Sequence, residues 1–261
     1  MAFDRRPLGD SGSVLVSREM EEAGFLVAFS ERGGGASEPP FATLNMSYAV
    51  GDDAQAVGGN RRLLLDALGI GEFAIGGQVH GTKLVRIGAK LAGAGYAGQE
   101  GVIGETDGLY AGSPRIPMAV ATADCAPVVV ASESEQLVAI VHAGWRGLAG
   151  GIVQRAAELF QRPAESLALI GPAAGVCHYE VGEDVAFAVA GGSDAGAVTE
   201  RRDGRTFLDL ASTIEATLRD SGVKRIAVEG SCTIHDDRFF SHRRDGVTGR
   251  QLAVAMRMGP V

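Results

Sequence analysis

Residues 117–144, "PMAVATADCAPVVVASESEQLVAIVHAG", carry three apolar, β-branched runs in succession with no helical stretch between them. Runs of this length and content read as strands. Strands that follow one another directly are incompatible with a uniform series of parallel strands and crossover helices, so the segment points to mixed sheets. "GFLVAFS" (24–30), "SLALIGP" (166–172), "KRIAVEG" (224–230), "RQLAVAMRM" (250–258) and the end of "AIGGQVHGTKLVRIG" (74–88) supply further strands. Helical spacing of apolar residues marks 54–68, which stops at Gly69 and carries Arg61 and Arg62 in its middle. Further helices are expected at 147–160 and, each closed by glycine, within 182–192 and 208–222. Residues 31–45 and 232–249 read as polar, glycine-bearing loops. No internal repeat or low-complexity linker divides the chain, so residues 1–261 read as one domain of α+β class.

Charge narrows the partners. The chain has 32 acidic residues against 24 basic, a net charge of −8. That balance lacks the basic excess of a nucleic-acid or anionic-membrane binder, which leaves small molecules as the favoured partners. "MAFDRRPLGDSG" at the start has no apolar core of the kind a signal peptide needs, and no later apolar run approaches the roughly 20 residues of a membrane span. A cytoplasmic protein is expected. Cys125, Cys177 and Cys232 are odd in number and include no CxxC pair, as suits a reducing compartment rather than a disulfide framework.

The chemistry-bearing residues gather where strand-like runs stop. His80 in "QVHG" and His142 in "VHAGW" each follow a valine and precede a small residue, and Cys125 sits in the compressed "TADCAP". Two imidazoles and a thiolate form a donor set that suits zinc or copper, and three protein ligands leave one coordination position open, as in catalytic zinc sites. The same atoms also allow a metal-free reading, a Cys125 nucleophile served by a histidine base. Asp124, flanked by alanine and cysteine between two apolar runs, must pair or serve a site, and is expected to orient a ligand or move a proton. In "HAGWRG", Arg146 at a helix start is a candidate phosphate ligand, or else the partner of Asp124 or Asp107. Trp145 beside a strand end reads as core. "FFSHRRDGVTGR" concentrates Arg243, Arg244 and Arg250, either as a basic loop at the site or as a salt-bridged turn closed by Asp245 and Gly246.

Five blocks in order, "GGQVHG", "ETDGLYAGSPRIPMAVATADCAPVVV", "VHAGWRGLAGGIV", "IGPAAGVCHYEVGEDV" and "CTIHDDRFFSHRRDGVTGR", resemble the signature segments of the polyphenol oxidase or laccase-domain family, whose members are YfiH-, YlmD- and FAMIN-like. The resemblance spans most of the chain. It implies a single domain of four layers, α/β/β/α, with mixed sheets, related to a toxin catalytic domain that uses a Cys-His pair. It also implies a zinc-dependent purine nucleoside phosphorylase acting on adenosine, inosine, guanosine and methylthioadenosine, with adenosine deaminase activity. The metal ligands carry over to His80, Cys125 and His142, with Asp124 joining them as a catalytic residue. Arg146, and Asn45 or Arg61, are the expected contacts to the nucleoside and phosphate, and a monomer is the expected state. The family's older name implies copper instead; five histidines without an HxH pair do not supply a multicopper array.

Overall fold

A computed structural model describes residues 3–9, 11–192 and 195–259. One six-stranded sheet is built from β1 (Phe3–Leu8), β2 (Gly12–Ser17), β3 (Phe25–Ser30), β4 (Ala74–Ile75), β7 (Met118–Thr122) and β15 (Gln251–Arg257), in the order β1-β2-β3-β15-β7-β4. A second uses β5 (Leu84–Arg86), β6 (Gly108–Ala111), β8 (Ala126–Ser132), β9 (Leu137–Ala143), β10 (Leu167–Ile170) and β14 (Arg225–Val228), in the order β14-β10-β8-β9-β6-β5. Both sheets are mixed: β4 runs parallel to β7, β5 to β6 and β10 to β14, while the other pairs are antiparallel. A small antiparallel sheet of β11 (Glu180–Val181), β12 (Thr199–Arg202) and β13 (Arg205–Leu208) stands apart. The helices are α1 (Arg18–Glu22), α2 (Ala54–Leu68), α3 (Trp145–Ala149), α4 (Ile152–Ala157), α5 (Glu183–Ala190), α6 (Leu210–Asp220) and α7 (His242–Asp245).

Alternating side chains sort the strands into three cores and so into four layers. Val129, Ala131, Ile140 and Leu169 of the second sheet meet Val27, Phe29, Met118 and Val120 of the first in a core between the sheets. The opposite neighbours Val128, Val130, Val141 and Ile170 pack under helical residues Ile152, Val153, Ile214 and Leu218. On the far side of the first sheet, Leu26, Ala28 and Val254 pack under Leu64, Leu65 and Leu68 of α2. Burial on both faces is why these strands read as continuous apolar runs rather than alternations. Each such valine or leucine contributes roughly 2 kcal/mol on burial, so the layering follows from burial more than from local propensity. No helix among the described residues is long and apolar enough to cross a membrane.

Two expectations change, and one arrangement is added. The single helix over 147–160 is two short helices, α3 and α4, separated at Gly150 and Gly151; Gly151 at φ +84° takes a left-handed conformation that no continuing helix has. The loop at 232–249 contains the single turn of α7. The runs on either side of Cys125 do not share a sheet.

Arg61 and Asn45, expected as substrate contacts, lie buried and make internal ties. Arg61 is buried, donating from Nε to the Met46 carbonyl (2.8 Å) and from Nη1 to the carbonyls of Gly95 (2.8 Å) and Tyr96 (2.6 Å), with the Tyr48 ring 4.5 Å from its Cζ. Burial draws its pKa down to about 10, so it stays charged at neutral pH. Asn45 is fully buried, its amide donating to the Ser47 carbonyl and Asp52 while its oxygen accepts from the Ser47 and Arg250 backbone N–H groups. Arg61→Met therefore strands three carbonyls and is expected to destabilise the fold by about 3 kcal/mol in denaturant titration, while metal content per folded molecule stays unchanged.

Candidate metal centre

Between Thr122 and Ala126 the chain leaves the first sheet and enters the second, and the crossing turn holds Asp124 and Cys125. Asp124 sits at φ +91°, in the left-handed region. Three contacts hold it there: its carboxylate accepts from the Thr233 hydroxyl (2.7 Å) and the Arg243 N–H (2.7 Å), and its carbonyl accepts from the Ala174 N–H (2.8 Å). Both carboxylate oxygens are thus engaged in fixing the turn and the segment carrying Arg243. Asp124, expected to orient a ligand or move a proton, ties the crossing turn to Thr233 and to the segment carrying Arg243.

His142 projects from β9, where it pairs with Pro127 of β8 and so lies one register step from the end of the β8–β9 ladder. Gly144 follows. A Cβ there would stand 2.7 Å from the Cys125 Sγ and 3.2 Å from the His80 Cδ2, so only glycine lets the strand pass this close to both. His80 is not at a strand end; it lies at φ +60° in the connection between β4 and β5.

What fixes that connection is Asp107, fully buried just before β6. Its carboxylate accepts the backbone N–H groups of Val79 (3.1 Å), His80 (2.9 Å) and Gly81 (2.8 Å), and its Oδ1 lies 2.9 Å from the His142 Nδ1. With Nδ1–H donating to the carboxylate, the Nε2 lone pair of His142 is the free donor, as in histidine ligands braced by a carboxylate. One acidic side chain therefore places two imidazoles. The ligand atoms of His80, Cys125 and His142 lie within 4.8 Å of one another, and the two rings stand 4.9 Å apart at 64°. Two nitrogens and one sulfur, braced from outside, fit a zinc-type ion with an open position.

Burial pushes the Cys125 thiol up, but the His142 charge and hydrogen bonds from His142 and His80 outweigh it and bring the pKa down from 9.0 to about 6. Against its own burial, His142 is held up at about 9 by the Cys125 thiolate and Asp107. Metal-free protein at neutral pH thus holds a thiolate–imidazolium pair. Only the thiolate alkylates. In chelator-treated protein, the iodoacetamide rate at Cys125, followed by peptide mass spectrometry, should rise through a midpoint near pH 6 and level off by pH 8. A midpoint near 9 would remove the pair.

Around this cluster stand Tyr179, Arg146, Arg243 and Arg250. Burial pushes the buried Tyr179 hydroxyl up to about 12, with the Cys125 and Asp124 charges adding and Arg243 and Arg146 opposing. The phenol stays protonated at neutral pH and able to donate. Arg243 donates to the Glu180 carbonyl (2.6 Å), with its Cζ 5.1 Å from the Tyr179 ring. Burial lowers the pKa of Arg250 while Asp124 and Cys125 raise it, and its Nη1 donates to the carbonyls of Thr248 and Gly249 (2.9 Å each). Arg146 is exposed, its Cζ 4.2 Å over the Trp145 ring, and among the described residues it makes no ion pair, so the alternative pairing with Asp124 or Asp107 does not form. Its helix has only five residues, so the side chain rather than the helix end carries any anion contact. Trp145 packs on the helix-side core, as expected. Arg244 is taken up by Asp245 (2.8 Å) and three carbonyls, which makes it the salt-bridged turn.

Sequence reasoning missed Asp107 as the shared brace, Thr233, and Tyr179. All three lay within the signature blocks, but nothing local marked these roles. Arg61 was more legible: with Val57, Leu64, Leu65 and Leu68 it falls on one buried face of α2.

Residues 26–258 match the family described as multi-copper polyphenol oxidoreductase laccase. A protein of Mycobacterium tuberculosis H37Rv named purine nucleoside phosphorylase is 37% identical over 248 residues, covering 93% of each chain. One of Deinococcus radiodurans with the same name is 40% identical over 238 residues, covering 87% of each. Among solved structures, YlmD from Geobacillus stearothermophilus superposes with a TM-score of 0.90 at 32% identity, covering 97% of this chain and 99% of that one.

Proposed function

Since the chain belongs to the multi-copper polyphenol oxidoreductase laccase family, whose relatives above carry the name purine nucleoside phosphorylase, we propose that it is a zinc-dependent phosphorylase of purine nucleosides. Adenosine, inosine, guanosine and methylthioadenosine are its proposed substrates, with deamination of adenosine as a second activity. The observation that carries the metal part is the His80, Cys125 and His142 donor set braced by Asp107. Bound by these three, zinc supplies Lewis acidity toward an oxygen of the substrate or of water.

The remaining work falls to the chain's own groups. Arg146, Arg243 and Arg250 offer guanidinium forks to a phosphate, and Asp124 holds Arg243 in place through its backbone. In phosphorolysis a phosphate oxygen forms a bond to the ribose anomeric carbon as the bond from that carbon to the purine nitrogen breaks. Holding the anion beside that carbon lowers the barrier by orientation. The Tyr179 hydroxyl, kept protonated by burial near the Cys125 and Asp124 charges, offers a further donor.

A second reading, a metal-free Cys-His hydrolase, draws support from the Cys125–His142 charge pair. Metal analysis of the purified protein, followed by a nucleoside panel with and without phosphate, separates them. Expected are one zinc at His80, Cys125 and His142, and release of free purine with ribose 1-phosphate only when phosphate is present. Full turnover in metal-free protein would sink the zinc reading. Nucleoside binding without turnover would leave a binding module.

A further inference from the structure

Cys177, His178 and Cys232 bring a second set of ligand atoms within 4.8 Å of one another, apart from the first cluster in both residues and loops. Backbone pairing holds the two loops together: Ala173 and Cys232 form a parallel bridge, the Thr233 N–H donates to the Ala173 carbonyl (3.0 Å), and the Ala173 N–H donates to the Ser231 carbonyl (3.3 Å). Gly175 lies under both sulfurs. A Cβ on it would stand 3.3 Å from the Cys232 Sγ and 3.4 Å from the Cys177 Sγ, and its N–H donates to the Cys232 sulfur at 3.2 Å.

His235 adds to the set from the same turn as Cys232, whose carbonyl accepts the His235 (3.1 Å) and Asp236 (2.8 Å) N–H groups. Its ring stacks on that of His178, with centroids 5.3 Å apart at 20°. The thiols open onto a cleft also lined by Asp209 and Glu215, of which Asp209 caps α6 through Ser212 and Glu215 pairs with Arg219 (2.6 Å). A disulfide would account for two sulfurs but would leave both imidazoles without a reason to gather.

We infer that Cys177, His178 and Cys232 form a second zinc site, with His235 orienting the His178 ring. Zinc bonds of about 2.3 Å to sulfur and 2.0 Å to nitrogen give tetrahedral donor separations of roughly 3.5–3.8 Å. The present spread, up to 4.8 Å, would contract by about 1 Å on binding. All three ligands are at least partly exposed, so the ion exchanges with solution.

The test is a comparison of zinc content between reduced full-length protein and the Cys177→Ser/Cys232→Ser variant, each dialysed against the same zinc buffer and measured by plasma mass spectrometry. The inference requires a difference of one equivalent per chain. That difference is independent of the first centre, whose failure would lower both proteins equally. Equal zinc in the two overturns it. If the variant does not fold, the wild type decides through peptide mapping after iodoacetamide. Added zinc must then suppress alkylation at Cys177 and Cys232, and unchanged alkylation overturns the site.

Discussion

Cys125→Ala is expected to leave a folded chain that no longer keeps the zinc of the first centre through dialysis and loses phosphorolysis by more than about 100-fold. That exceeds the roughly 10- to 100-fold cost of losing an outer partner of a ligand, because a ligand itself is removed. Folding should survive because the thiol belongs to none of the three cores. The turn around it is fixed instead by the Thr233, Arg243 and Ala174 contacts of Asp124. Unfolding temperature in the presence of chelator should fall below that of chelated wild type only by the loss of the Cys125–His142 charge pair. The same experiment discriminates mechanisms. A nucleophilic Cys125 predicts that chelated wild type stays active while the variant is dead. A metal centre predicts that both are inactive and that only wild type recovers with added zinc.

Much of the frame was legible because it follows from local signals. α2 begins after the Asp53 cap and ends at Gly69 in the left-handed region, and both residues are readable in the sequence. β8, β9 and β15 are buried on both faces and so read as apolar runs. The candidate ligands His80, Cys125 and His142 were singled out as polar groups beside small residues at the ends of apolar runs, although His80 lies in the connection between β4 and β5. Less legible was anything set by contacts distant in sequence. Nothing in "ATADCAP" says that its two flanking strands lie in different sheets, since the side-chain period is the same in either arrangement. In the first hairpin, β1 has the partly exposed pattern of an edge and lacks an apolar run, and β2 carries only the three apolar residues Val14, Leu15 and Val16. Cys177 and Cys232 approach only because Ala173 pairs with Cys232 across two loops. Asp107 reads as one acidic residue before a glycine, although its partners lie up to 35 positions away.

That carboxylate is the other place where a single atom change should matter most. In Asp107→Asn the shape is kept and one oxygen becomes an amide NH2. The Oδ1 side serves the His80 N–H and the His142 Nδ1, and the Oδ2 side serves the Val79 and Gly81 N–H groups. An NH2 on the Oδ2 side faces two backbone donors. On the Oδ1 side it faces the His80 N–H and drives the His142 proton from Nδ1 to Nε2, which consumes the lone pair a metal needs. With the NH2 on the Oδ2 side two backbone donors lose their acceptor, and on the Oδ1 side one does, costing about 1–4 kcal/mol, and zinc affinity should fall by roughly 10- to 100-fold. Titration of the wild-type residue does not complicate the comparison. Burial raises the Asp107 pKa, but the His142 hydrogen bond and the Gly81 and Val79 N–H groups lower it further, to below 3.8. Its stabilising contribution is thus fully present at neutral pH and is lost only as pH falls through that lowered value. Competition with a chromophoric chelator at pH 7 reads the zinc affinity, and excess zinc should restore part of the turnover without restoring the unfolding temperature of the chelated protein. Wild-type zinc affinity in a destabilised variant would instead make Asp107 a structural tie for the 79–81 loop, with no hold on the ligand state of His142.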